Sequence, residues 1–117
     1  DNVEISTGND LQVRRSINAS SGITSTQIVS RAITGSIDPE MTTVATLDWF
    51  GKLDANTEGV TSFTVGSSTG NKFFIIGANS QFSGITPGER NGISTASIDL
   101  AFNESTIGDD DFQIVCL

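Results

Sequence analysis

Residues 93–103 read ISTASIDLAFN. Ala96, Ile98, Leu100 and Phe102 fall on one side of an extended chain, and Ser97, Asp99, Ala101 and Asn103 on the other. A period of two with one apolar side predicts a strand with one face buried. The same alternation recurs in both directions along the chain. Val3 and Ile5 flank Glu4, and Leu11 and Val13 flank Gln12. Ile33, Gly35 and Ile37 share a face, Phe63 and Val65 flank Thr64, and Phe112, Ile114 and Cys116 close the sequence. The run Phe73-Phe74-Ile75-Ile76 is apolar on both faces and predicts a strand covered on both sides or lying at an interface. Turn-forming clusters separate these runs at 7–10, 20–22, 67–71, 86–88 and 108–110. Together they predict an all-β chain, an antiparallel β-sandwich of seven or eight strands.

One stretch departs from this period. In TLDWFGKLDANTEG, residues 46–59, Leu47, Phe50 and Leu53 are spaced by three. Thr46 or Asp48 can cap the start, and Gly59 lies beyond the end. A short helix near 47–56 is expected, with Leu47, Phe50 and Leu53 facing the sheet and Trp49 either there or at an interface. Asp38-Pro39-Glu40 could start a helix instead, although β-branched Thr42, Thr43 and Val44 argue against it. Phe63, Phe102 and Phe112 are the expected aromatic core.

Composition narrows the function. The chain has 117 residues, enough for one domain with a real core. It begins at Asp1 without Met and reads as a processed or excised piece of something longer. No apolar run is long enough to span a bilayer, and no charged-then-apolar leader is present. The net charge of −8 repels phosphates and anionic lipids, so tight nucleic-acid binding and a membrane role are not expected. There is no histidine to activate a serine or the lone Cys116, which reads as a buried small hydrophobe. No enzyme, cofactor or metal is expected.

Two further motifs are weighed and set aside. Gly66 to Lys72, GSSTGNK, has the wrong spacing for a phosphate loop and is followed by a strand, so it reads as a hairpin turn. Asn18-Ala19-Ser20 and Asn103-Glu104-Ser105 match the glycosylation pattern, which arises often by chance in a chain rich in Asn, Ser and Thr. The triplet Asp109-Asp110-Asp111 is the remaining chemical candidate. Calcium loops alternate their ligands and close with a glutamate at a fixed offset, and neither feature is here. Adjacent side chains on an extended segment also point apart. The triplet reads as a turn into the last strand whose charges discourage edge pairing.

The order of motifs is informative as a whole. RAITGSIDPEM (31–41) is followed by LDWFGKLDANTEG (47–59), then by GNKFFIIGANSQFSGITPGERNGISTASIDLAFNES (70–105) and GDDDFQIVCL (108–117). From about Asn9 to Leu117 this resembles the C-terminal portion of the bacteriophage tail tube, or major tail, protein family, with the bend at Gly88–Gly92 and the final turn at Gly108–Phe112. The resemblance implies a β-sandwich flanked by one helix. It implies subunits that close into rings, as hexamers, and rings that stack into a DNA conduit without binding the DNA tightly. It implies other tail proteins as partners, assembly in the bacterial host cytoplasm and a place in the virion tail. Family subunits are commonly longer, with more strands ahead of this part and a long stacking hairpin. Residues 1–117 therefore read as one tail-tube-like domain, or as a domain or fragment of a longer chain. With the net charge, the resemblance also suggests an acidic lumen, with Asp99 and Asp109, Asp110 and Asp111 as its candidate residues. The alternative reading is a stand-alone sandwich that recognises a carbohydrate or a receptor, as tail-tip and adhesin modules do.

Overall fold

The computed structural model describes residues 2–108 and 110–117. Among them are eight strands and one helix: β1 (Val3–Ser6), β2 (Asp10–Arg15), β3 (Ile23–Ser30), β4 (Ile33–Ile37), α1 (Trp49–Asp54), β5 (Gly59–Val65), β6 (Phe73–Arg90), β7 (Ile93–Asn103) and β8 (Gln113–Cys116). Six strands form one antiparallel sheet in the order β1-β4-β7-β6-β5. β8 continues the line of β7 along the same edge of β6, at residues 73–76. β2 and β3 form a separate two-stranded sheet. The fold is all-β, as the alternation requires.

The predicted alternation holds in β7. Ala96, Ile98, Leu100 and Phe102 are buried, and with Ile33 they form the apolar core among the described residues. Register carries this inner face across the sheet. Ile33 lies opposite Phe102, Gly35 opposite Leu100, and Ile37 opposite Ile98. Ile5 on β1 and Phe63 on β5, from opposite edges of the sheet, both pack against Ile33, Leu100 and Phe102. One sheet therefore bends over its own inner face and makes a sandwich with itself. Register shifts in β6 near 77–80 and at Phe82–Gly84 place bulges where that bending occurs.

The Phe102 ring occupies the centre. A Cβ on Gly77 would lie 2.2 Å from its Cδ1, and a Cβ on Gly35 3.0 Å from its Cε2. Both flanking strands thus give up a side chain to admit one ring. Phe112 meets Phe102 edge-on at 6.1 Å between centroids.

One turn expectation changes. Thr86-Pro87-Gly88, expected to break the chain, lies within β6. The reversal comes at Asn91-Gly92, whose φ values of 52° and 80° suit a type I′ hairpin. Pro87 faces Ala96, and the Ala96 N–H donates to the Pro39 carbonyl at 3.0 Å, away from β6. Pro87 therefore turns its donorless nitrogen away from β7 and costs the ladder nothing. Asp38-Pro39-Glu40 starts no helix, and Glu40 instead bridges to Thr95.

The helix is shorter than expected. Asp48 is its N-cap and accepts from the Gly51 N–H at 2.8 Å. It ends before Gly59 because Asn56 adopts a left-handed φ of 49°. The Asn56 N–H bonds to the Leu53 carbonyl and the Thr57 N–H to that of Lys52, a Schellman closure.

Gly77→Ala should lower the unfolding free energy by about 1–3 kcal/mol through overpacking against Phe102. With Phe102→Leu already present the added loss should shrink. Urea unfolding of the two single variants and the double variant measures this coupling.

Candidate assembly surfaces

β2 and β3 build an arm. Leu11 pairs with Ile28 and Val13 with Thr26 on one face, while Gln12 pairs with Gln27 and Arg14 with Ser25 on the other. In a sheet packed on a body the first face would be buried. Here every residue of β2 is exposed, and the arm packs against no other strand and not against α1 among the described residues. The chain is elongated as a result, 63 × 37 × 33 Å with a radius of gyration of 18.8 Å. A compact chain of this length has a radius near 13 Å. The two strands and their connecting loop thus form a hairpin that projects from the main sheet.

The tip of the arm is ordered by its own bonds. The Ser16 N–H donates to the Gly22 carbonyl at 3.2 Å, and the Gly22 N–H to the Ala19 carbonyl at 2.9 Å. Ile17 stands on this closed loop, 100% exposed. At the root, Gly8 lies against Ala32, and a Cβ there would fall 2.3 Å from the Ala32 carbonyl oxygen. Only a glycine lets the outgoing and returning chains pinch so closely.

An ion pair fixes the same root. Arg31, just after β3, holds Asp111 with two bonds, Nε to Oδ2 at 3.1 Å and Nη2 to Oδ1 at 2.8 Å. Asp111 is 7% exposed. The paired geometry satisfies a carboxylate that would otherwise be costly to bury. Beside it opens a cleft of about 740 Å³, walled by Ile28, Val29 and Phe102 and edged by Asn103 and Glu104. Asn103 donates from Nδ2 to Glu58 at 3.0 Å, which adds a second carboxylate near the rim.

The acidic candidates do not converge. Asp111 is spent on Arg31. Asp110 accepts from the Ser105 N–H at 2.8 Å. Hydrogen bonds from Ser105, first from its side chain and then from its backbone, hold the Asp110 carboxyl below the usual 3.8. Asp109 lies outside the described residues. Asp99 stands apart, on the polar outer face of the main sheet. It shares a row there with Ser36 and Glu4, opposite one another in register. Among the described residues no group of three His, Cys, Asp or Glu side chains is disposed to hold a metal ion.

The expected packing residues are also placed. Phe102 is buried, and Phe63 and Phe112 are half-buried against it. Leu47 and Leu53 are half-buried. Phe50, expected to face the sheet, is 45% exposed, and Trp49 packs on Phe82 at 5.8 Å instead. Leu47 lies ahead of the helix, and Trp49 and Leu53, four apart, share the helix face that is half-buried. Phe74, Ile75 and Ile76 are half-buried, whereas Phe73 is exposed. Cys116 is exposed rather than buried. It pairs with Phe73, and both stand exposed at one end of the sheet.

The model of a family described as phage tail tube protein matches residues 1–103. Comparison with curated proteins and with solved structures returns no match. The matched span takes in the arm and all strands through β7. The segment with Asp111, Phe112 and β8 lies beyond it.

Two measurements follow from this geometry. A double-mutant cycle with Arg31→Ala and Asp111→Ala should give a coupling of about 1–2 kcal/mol, less than a fully buried pair because Arg31 is partly exposed. Asp110 should titrate below 3.8 by NMR, and Ser105→Ala should raise its midpoint. A depressed carboxylate pKa stabilises the fold above the unfolded value. Asp110's contribution is therefore present above pH 3.8 and is lost as the pH falls through its folded value.

Proposed function

The chain belongs to the phage tail tube protein family, and we propose that it is a tube subunit whose copies close into hexameric rings that stack into a conduit for DNA. Membership of this structural family supports a place in the phage tail, among copies of itself and other tail proteins, and a role without catalysis. One observation supports the finer reading most strongly. The β2–β3 arm carries an apolar stripe of Leu11, Val13 and Ile28 that its own chain leaves in water. An exposed stripe on a projecting element suits a surface that is covered by another molecule. In a ring the contact is heterologous: a patch on one copy meets a different patch on the next. Along the tube the arm bridges successive rings.

The charge supports a passive lumen. Each copy carries a net charge of −8, and the outer face of the sheet presents Glu4 and Asp99 among Ser and Thr side chains. We assign this face to the lumen. Carboxylates there repel phosphates, so the duplex passes without adhering. Asp110 and Asp111 have other partners and are not assigned to it. In this reading the subunits are made and assembled in the host cytoplasm.

Sedimentation and negative-stain imaging of the purified chain should show rings or tubes as the concentration rises. A strict monomer at every concentration, with measurable affinity for a glycan, would instead indicate a recognition module. If rings form, Asp99→Lys should keep them intact and make them retain DNA in a filter-binding assay at low salt. Equal DNA retention by Asp99→Lys and parent rings would remove Asp99 from the lumen.

A further inference from the structure

We infer that α1 has two poses on the sheet: the one described, with Trp49 inward, and a second in which the helix has rolled to bring Phe50 inward and Trp49 into water. The inference does not depend on the tube-subunit reading.

Residues 42–57 form a flap joined to the body by side-chain packing. Every hydrogen bond they make among the described residues stays within the segment. Thr42 donates from Oγ1 to the Leu47 carbonyl at 3.4 Å, the Thr43 and Thr46 hydroxyls bond at 3.0 Å, and the Leu47 N–H donates to the Thr43 carbonyl at 3.0 Å. The Asp48 cap and the closure at Asn56 and Thr57 are internal as well. The attachments lie just outside. The Met41 N–H donates to the Ser94 carbonyl at 2.9 Å on one side, and Asn103 donates from Nδ2 to Glu58 at 3.0 Å on the other. A turn of the flap as a unit breaks none of these bonds. No residue of α1 is fully buried, and β6 is the only strand it meets among the described residues, with Trp49 on Phe82.

The described pose leaves one donor unsatisfied. The Trp49 Nε1–H is buried with no hydrogen-bond partner among the described residues. A buried indole ordinarily finds an acceptor, and burying a donor without one is unfavourable. Phe50, whose ring has no polar atom, is meanwhile 45% exposed. The helix hides the ring that needs water and shows the one that does not.

Helical geometry supplies the second pose. With Trp49 at zero on the helix circumference, Leu53 lies at about 40° and Phe50 at about 100°. Trp49 and Leu53 share a face centred near about 20°, and Phe50 and Leu53 share one centred near about 70°. A roll of about 50° exchanges the two and keeps Leu53 inward in both. The second face is the one that the spacing of Leu47, Phe50 and Leu53 predicts. Each pose buries one large aromatic ring, and only one of them strands a donor. An element with two such packings is bistable. The roll also changes what α1 shows to its surroundings, from a phenyl ring to an indole with a free donor. A neighbour that presents a hydrogen-bond acceptor to this surface selects the rolled pose.

Trp49 is the only tryptophan, so its Nε1–H is a unique reporter in a 1H–15N spectrum of the full chain. Two indole signals are expected, or one with millisecond relaxation dispersion, the rolled state exchanging freely with water. Phe50→Ser takes the apolar ring from the rolled face and should reduce the rolled population about tenfold, whereas Phe50→Leu should preserve most of it. Phe50 is exposed in the described pose, so both variants leave the core intact. One sharp indole signal without dispersion in the parent chain would overturn the inference. A rolled population unmoved by Phe50→Ser would also overturn it, since the motion would then not carry Phe50 inward.

Discussion

The body of this protein depends on one steric arrangement, the Phe102 ring lying across two strands that have surrendered their side chains at Gly35 and Gly77. An aromatic ring placed over bare backbone draws the neighbouring strands close and lets the sheet bend around it. Ile33 on β4, Phe63 on β5, Leu100 two residues back on β7 and Phe112 just ahead of β8 then close on the same point. Without the glycines the ring would have to leave the inner face, and the edge strands would lose the surface on which they meet. The polar outer face costs nothing extra, because strand alternation places Glu4, Ser36 and Asp99 there once the inner face is fixed.

The core made in this way is small. Five apolar side chains are buried among the described residues, against seventeen large apolar ones left exposed. The imbalance is concentrated on the arm, at the Phe73–Cys116 end of the sheet and on isolated residues such as Phe50 and Ile107. A protein that works alone gains little from such a surface. A protein that works as one of many copies uses it, because association buries what folding did not. The ion pair of Arg31 with Asp111 and the pinch at Gly8 tether the root of the arm while its length stays clear of the body.

How much of this was legible in the sequence varies with the range of the interaction. The inner face of β7 was plain, because alternation from Ala96 to Phe102 is a local signal. The helix was legible to within two residues at each end, with Asp48 one of the two possible caps, but the residue that closes it was not. Asn56 took the left-handed position that a glycine more often marks. Phe50 and Trp49 exchange places because the inward face is set by the pair Trp49 and Leu53, four apart, and the spacing of three from Leu47 begins outside the helix. Thr86-Pro87-Gly88 misled because a proline next to a glycine signals a turn locally, whereas here Pro87 sits where a strand needs no donor. The arm was visible only in its first strand, as the short alternation of Leu11 and Val13; no alternation marked 23–30, and nothing local showed that the two would pair apart from the main sheet. The partnership of Arg31 with Asp111 spans 80 residues, and no spacing rule reaches that far.

The order of strands in the main sheet has a consequence for synthesis. β7 is the strand that joins β4 to β6, yet it is made after both of them and after β1 and β5. Until residue 103 has left the ribosome, the nascent chain holds β1 and β4 on one side and β5 and β6 on the other with nothing between them. Ile33 and Phe63 have no common neighbour during that interval. Long-range pairing must wait for the late segment, and the half-made chain carries open strand edges in the meantime. The Asn91-Gly92 turn shortens that wait, since β7 can zip onto β6 from the hairpin as soon as it emerges.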